Sequence, residues 1–535
     1  MVAACSHDLT PPPGPPPAPA TELGCTSVTD VALAPGESIV LSEAASSGCI
    51  RIPAGASSRE YLAVAYSASS QTDPGGISGL YRWRARSAVA TPSPAPAWAS
   101  EPPDLVAEFH ALLRERDRAG ARRQSRSLPL ASPGLTPVPG DRRSFGVCSD
   151  PGCFSFVAVP ATAAYVGRRM ALFIDDSLPS GGFSAEDYQR FGRLFDDQLY
   201  PIDTTAFGRE SDIDGNGVVL VVITRQVNRL CPALGGVVSG YFYGLDLRPA
   251  EPGSNGGEVF YAVAPDPQGE NGCHITRDFV ERVLPGTLAH EFQHMISYNQ
   301  HVLIRHGAVE DNWLNEGLSH LAEEIAGRRV PSSNCIADDC LSQFAFTDVS
   351  NAYQYLSDPE RWFAVYPSTS TGRSAERGAA WLLVRWVIDQ YGGSDAFTRS
   401  LVATGRLGGA NLAAVTGIPF ETLLGEWHLA NFLDDLPGYS PANSHLQYKT
   451  WNWRVTFPSL RAQFPGQYPR SFPLVPDSTV DAYDREGTLR GGSGRYLRLT
   501  FAAGAEPIDL RLTDPTGSGP VAPEVEARIA VARIR

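Results

Sequence analysis

Residues 288–296 read Leu288-Ala289-His290-Glu291-Phe292-Gln293-His294-Met295-Ile296. In a helix, at about 100° per residue, His290 and His294 leave the same face one turn apart. Two neutral imidazoles so placed suit a Zn²⁺ ion, and Glu291 between them falls beside a metal-bound water. Leu288, Phe292, Met295 and Ile296 take the other side, which can be buried. A catalytic zinc usually has three protein ligands and one open position. The candidate third ligand is Glu316, in Trp313-Leu314-Asn315-Glu316-Gly317-Leu318-Ser319-His320. His-Glu-x-x-His alone also fits a helix with surface His and Glu; a second acidic motif on a following helix-like stretch favours the metal.

H-E-F-Q-H followed by W-L-N-E-G resembles the gluzincins, the zinc peptidases that include thermolysin and the aminopeptidase N family. L-A-H-E-F-Q-H-M-I with D-N-W-L-N-E-G-L-S-H-L-A-E-E resembles the hyicolysin-like neutral metallopeptidases in particular. The resemblance covers roughly residues 143–437. It implies that His290, His294 and Glu316 bind zinc, that Glu291 is the general base, and that the substrate is a peptide or protein. It also implies an α+β zincin-type domain, a mixed sheet plus active-site helix followed by a helical subdomain. Glu323 is placed to hold a ligating His from behind, because such His usually donate their other N–H to an acid or carbonyl. In aminopeptidase-like relatives a Tyr just before a helix like the one at Gly378 stabilises the oxyanion. Here Ser374-Ala375-Glu376-Arg377-Gly378 has no Tyr, which leaves Arg377, Tyr353, Tyr355 and Tyr366 as candidates. No G-x-M-E-N motif is present, so an endopeptidase is expected rather than an exopeptidase. The competing expectation is a surface binding or adhesion protein built on an inactive peptidase scaffold; the intact Glu291 speaks against it.

Composition bounds the rest. A chain of 535 residues exceeds one core and implies several domains. Its net charge of −14 argues against nucleic acid as a partner, since a phosphate-binding surface needs a basic excess. No apolar run reaches the length of a transmembrane helix. Eight of nine cysteines fall in near pairs, Cys25/Cys49, Cys148/Cys153, Cys231/Cys273 and Cys335/Cys340, which suggests disulfides and an extracytoplasmic setting. The ninth, in Val2-Ala3-Ala4-Cys5, resembles the end of a bacterial lipoprotein signal, although the apolar and basic stretch that should precede it is missing. A Pro-rich tether follows it, as a surface-anchored domain requires. The chain is therefore expected to be secreted or held at the cell surface by a lipid on Cys5.

The expected organisation starts with a lipobox-like start and tether (1–25), a small β-domain (26–92) and a linker with a helix (93–142). A metallopeptidase domain (143–437) follows, divided into 143–300 and a helical 301–437, and then a C-terminal β-sandwich-like domain (438–535). In the linker, Asp104 to Ala119 reads as an amphipathic charged helix, and Arg122-Arg123-Gln124-Ser125-Arg126 as a processing site or a solvated stretch. Val218 to Thr224 reads as a buried strand. Before it, Asp212-Ile213-Asp214-Gly215-Asn216-Gly217 matches the first half of a Ca²⁺ loop, with Asp212, Asp214 and Asn216 as ligands. Ile223 stands where the closing Glu belongs, so a polar turn entering a strand fits equally. Glu258 to Ala264 reads as the last strand before the metal helix, and the resemblance to zincins implies that it borders the cleft and pairs with an extended substrate. Pro285-Gly286 should break or kink the helix before Thr287 opens the metal helix. Trp427, His428 and Phe432 read as core packing.

Overall fold

A computed structural model describes residues 27–85, 102–123, 134–179, 182–336, 339–480 and 482–535, with Leu23 and Cys25. Cys5, the Pro-rich tether and residues 124–126 of the basic run lie outside the described residues. The architecture is mixed, with three sheets around a helical body.

The central sheet has six strands: β1 (Arg142–Cys148), β2 (Phe156–Val166), β3 (Met170–Asp175), β4 (Val219–Ile223), β5 (Gly240–Phe242) and β6 (Val259–Ala262). Their spatial order is β5-β6-β4-β3-β2-β1. β3, β4 and β6 run parallel, and β5 pairs antiparallel with β6. β4 is buried at every position, as its unbroken apolar run requires. β6, expected beside the cleft, is an interior strand. Its Val-Phe-Tyr-Ala sequence is covered on both sides, and the free edge belongs to the three-residue β5.

The helical body uses α1 (Leu105–Arg123), α2 (Arg277–Tyr298), α3 (Asn312–Arg329), α4 (Cys340–Ser357), α5 (Ser374–Val387) and α6 (Phe420–Leu433). α2 packs on α3, and α5 packs on both α3 and α4. Thr276 caps α2, accepting the Phe279 N–H at 3.1 Å. The break expected at Pro285-Gly286 does not occur; α2 runs through both residues. Proline's fixed φ is itself helical; Pro285 forgoes one backbone bond and crowds the carbonyl one turn earlier, a cost that burial of this segment offsets.

The N- and C-terminal strands do not form two flanking domains. They interleave in one sandwich of two five-stranded sheets. One sheet runs Val28–Asp30, Cys49–Ile52, Ile508–Thr513, Ser78–Ala85, Tyr483–Arg490; the other runs Asp477–Thr479, Gly494–Phe501, Arg59–Ser67, Ala527–Arg533, Ser38–Val40. Short strands with one apolar face cannot close a core alone, and the two ends of the chain close it together around Trp83, Tyr61, Leu497 and Ile529. Tyr496 is buried against α6, where its hydroxyl meets His428 Nδ1 at 2.8 Å. His428 Nε2 lies 3.1 Å from Gly492 O, so this ring joins α6 to the sandwich. All four cysteine pairs are disulfides: Cys25–Cys49, Cys148–Cys153, Cys231–Cys273 and Cys335–Cys340. Among the described residues no helix is long and apolar enough to cross a membrane.

Candidate metal centre

α2 and α3 cross so that three side chains converge. His290 Nε2 and His294 Nε2 lie 3.2 Å apart. Glu316 reaches them from α3, with Oε2 3.6 Å from His290 Nε2 and Oε1 3.5 Å from His294 Nε2. Donors about 2.1 Å from one tetrahedral ion stand about 3.4 Å from each other, so this set fits a zinc-sized ion.

The other ring nitrogens are engaged, which fixes the direction of the first two. His290 Nδ1 donates to Glu323 Oε1 at 2.8 Å. His294 Nδ1 lies 3.1 Å from Ser319 Oγ, whose own proton goes to Gln293 Oε1 at 2.6 Å. Glu323 also receives His320 Nδ1 at 2.9 Å, and that nitrogen lies 2.8 Å from Asp348. Burial alone would raise Glu323; the hydrogen bonds from His290 and His320 outweigh it and hold the carboxyl low. Gly286 makes room for this carboxylate, because a Cβ there would lie 3.2 Å from Glu323 Oε2.

Glu291 is 4% exposed and faces the same space. Its Oε2 accepts the Phe242 N–H from edge strand β5 at 2.8 Å. Burial raises Glu291 above the usual carboxylate range, against the pull of His290 and Arg114. For Glu316 burial is outweighed by Arg377 and by the two imidazoles, which hold it well below that range. Arg377 Nε stands 4.0 Å from Glu316 Oε2.

These groups open on a cavity of about 720 Å³. His290, Glu291, Glu316, Glu323, Arg377 and His110 line its polar side, and Phe279, Phe344, Phe346 and Phe464 its apolar side. The structure thus brings His290, His294, Glu316, Glu291 and Arg377 together, and leaves the three tyrosines off the cavity wall, Tyr366 remaining within electrostatic reach of Glu316 and Arg377. Tyr353 OH donates to Arg470 O at 3.0 Å, Tyr355 stacks on Trp427, and Tyr366 OH donates to Asn312 O at 3.4 Å. None of the three lines the cavity.

Sequence reading missed two contributors, β5 and the polar face of α1. β5 is too short to show a period of two. His110 and Arg114 stand at i and i+4, a polar pair beside the apolar stripe of Leu105, Phe109 and Leu113, and that spacing was the available signal. Burial pushes His110 down to about 3, with Arg377 adding to the effect, so the ring is neutral.

The calcium set is not assembled. Asn216 Nδ2 donates to Asp214 Oδ2 at 2.7 Å, and its Oδ1 accepts the Val218 N–H at 2.7 Å. The Gly217 N–H goes to Asp212 Oδ1 at 3.1 Å. With both ends of its amide engaged, Asn216 closes a polar turn that enters β4, and Glu258 rather than Asn216 is the third group near the two aspartates.

No family model matches the chain. A neutral metalloprotease of Staphylococcus hyicus, ShpI, is 28% identical over 166 residues, 31% of this chain. The chain spans 36% of the length of that relative. At this depth the similarity points to a distant metallopeptidase relationship.

Proposed function

We propose that the chain is an extracytoplasmic zinc-dependent endopeptidase of gluzincin type, with His290, His294 and Glu316 as ligands and Glu291 as general base. The observation that carries this reading is the meeting of the three donors at 3.2–3.6 Å beside a buried carboxylate. The partial likeness to a metalloprotease and the four disulfides support it.

The ion would supply Lewis acidity and an acidified water. Glu291 takes a proton from the attacking water on one carboxylate oxygen while the Phe242 N–H steadies the other. A carboxyl raised by burial holds that proton long enough to pass it to the leaving amine. β5 supplies the docking edge. The Val263 N–H pairs with Ser239 O at 3.0 Å, and alternation along an antiparallel ladder then turns the N–H and C=O of Gly240 outward, toward the cavity. An extended peptide can pair there, and the phenylalanines across the cavity offer cover to an apolar side chain. A lipid on Cys5 would hold this enzyme at the cell surface.

The test is metal content and casein hydrolysis of the purified chain. One equivalent of zinc is expected, with hydrolysis abolished by a chelator. Glu291→Gln should lower kcat by roughly 10²–10⁴-fold or more while zinc is retained. Protein without a transition metal, or Glu291→Gln at full activity, would overturn the proposal.

A further inference from the structure

α1, expected as part of a linker, is built into the cleft. Its Arg114 is 2% exposed and donates from Nη2 to Phe242 O at 2.6 Å, at the end of β5. Its Arg118 donates from Nη1 to Asn312 Oδ1 at 2.8 Å, at the start of the helix that carries Glu316. Thr371 Oγ1 donates to Ala107 O at 2.9 Å, which ties α1 to the loop ahead of Arg377. The helix is therefore fastened to both walls of the cavity. His110 lies between these fastenings.

The His110 ring lines the cavity together with His290, Glu291 and Glu316. It makes an edge contact with the Phe109 ring at 5.5 Å and no hydrogen bond to another described residue. Arg377, another of the donors lining the cavity, holds a loop through two of its nitrogens. Its Nε donates to Thr371 O and Gly372 O at 3.1 Å, and its Nη2 to Thr371 Oγ1 at 3.2 Å. A ring without a protein partner on the same cavity wall as the ligands, and a cation held by a loop 4.0 Å from Glu316, suit different tasks. The first can meet a new oxyanion; the second biases the Glu316 carboxylate.

We propose, resting on the peptidase reading above, that His110 is a catalytic residue: its ring N–H donates a hydrogen bond to the scissile carbonyl oxygen as that oxygen gains negative charge. A neutral imidazole carries one such N–H. No bond forms to His110 and no proton leaves it. The carbonyl π electrons move onto the oxygen as the water oxygen bonds to carbon, and the N–H stabilises that charge. The second donor of the reaction then comes from a helix ahead of the catalytic sheet.

The test uses the full chain with His110→Phe, which keeps a ring without the donor, and His110→Gln, which keeps a donor. Loss of one oxyanion donor should lower kcat of His110→Phe by about 10²–10³-fold, with KM changed by less than about threefold. Affinity for a phosphonamidate peptide, a mimic of the tetrahedral species, should fall in parallel, whereas zinc content and thermal midpoint stay at parent values. His110→Gln should recover about tenfold of the loss. Unchanged or raised activity, a rise in KM alone, or loss of zinc in step with activity would overturn the proposal, since each assigns α1 an occluding, docking or scaffolding role. If His110→Phe does not fold, His110→Ala against His110→Gln gives the same comparison. A parent protein without zinc or phosphonamidate binding would instead sink the peptidase reading itself; a parent with both and an indifferent His110 sinks only this inference.

Discussion

His290 and His294 each have two ring nitrogens, and Glu323 and Ser319 decide which one faces the cleft. Without those partners either tautomer would serve, and the two Nε2 atoms would not converge. Burial does different work at Asp203, in the helix Tyr200–Phe207. It is 0% exposed with both carboxylate oxygens unpartnered, and burial holds its carboxyl well above the usual range, with Arg329 pulling slightly the other way. The folded form keeps a proton that the unfolded chain gives up above about pH 4. From there to the raised folded value the native state binds more protons, so this contribution to stability is full at low pH and is lost as pH rises. Asp203→Asn removes the effect. Its thermal unfolding should show a gain on the order of 1–3 kcal/mol over the parent at pH 8, shrinking toward pH 4. A gain that is flat with pH would contradict the assignment.

At the scale of elements, α2 carries two tasks, spanning the sheet and presenting the donors. Gly286 serves the second. An alanine there should gain helix propensity of roughly 0.5–1 kcal/mol but press on the Glu323 carboxylate. Gly286→Ala is expected to keep or raise the thermal midpoint of the metal-free protein and to weaken zinc binding by about tenfold, measured by competition with a chromogenic chelator. Unweakened binding would show that Glu323 does not need its present place. The face shared by His290 and His294 is a local property of helical spacing, so it is legible in the sequence. The approach of Glu316 depends on how α3 crosses α2, which spacing alone does not set. α1 was misread because its Arg114 and Asp117 form a buried pair at 3.2 Å, and hydropathy counts such charges as solvated. β6 was misread because its apolar run fits an interior strand and a cleft-bordering one equally until its neighbours are known.

For the whole molecule, the sandwich is the largest departure from what the pattern suggested. Alternation identified strands in both end segments, yet nothing in a period of two says which strands are partners. Stopping the chain before residue 477 removes strands from both sheets and leaves Arg59–Ser67, buried throughout, without either neighbour. Limited proteolysis followed by mass spectrometry should then find residues 27–85 rapidly cut. A protected 27–85 fragment would mean that those strands fold as their own domain. The interleaving also bears on the order of events during synthesis. The Ile529 N–H bonds to Ser46 Oγ across 483 residues of chain, and Ala527–Arg533 slots between Arg59–Ser67 and Ser38–Val40. Ser38–Val40, Arg59–Ser67 and Ser78–Ala85 must therefore wait without sheet partners until strands beyond residue 477 emerge, whereas Val28–Asp30 can already pair with Cys49–Ile52. The intervening region that carries His290, His294 and Glu316 can mature first, and any holdase acting on the nascent polypeptide would find its binding sites on those waiting strands.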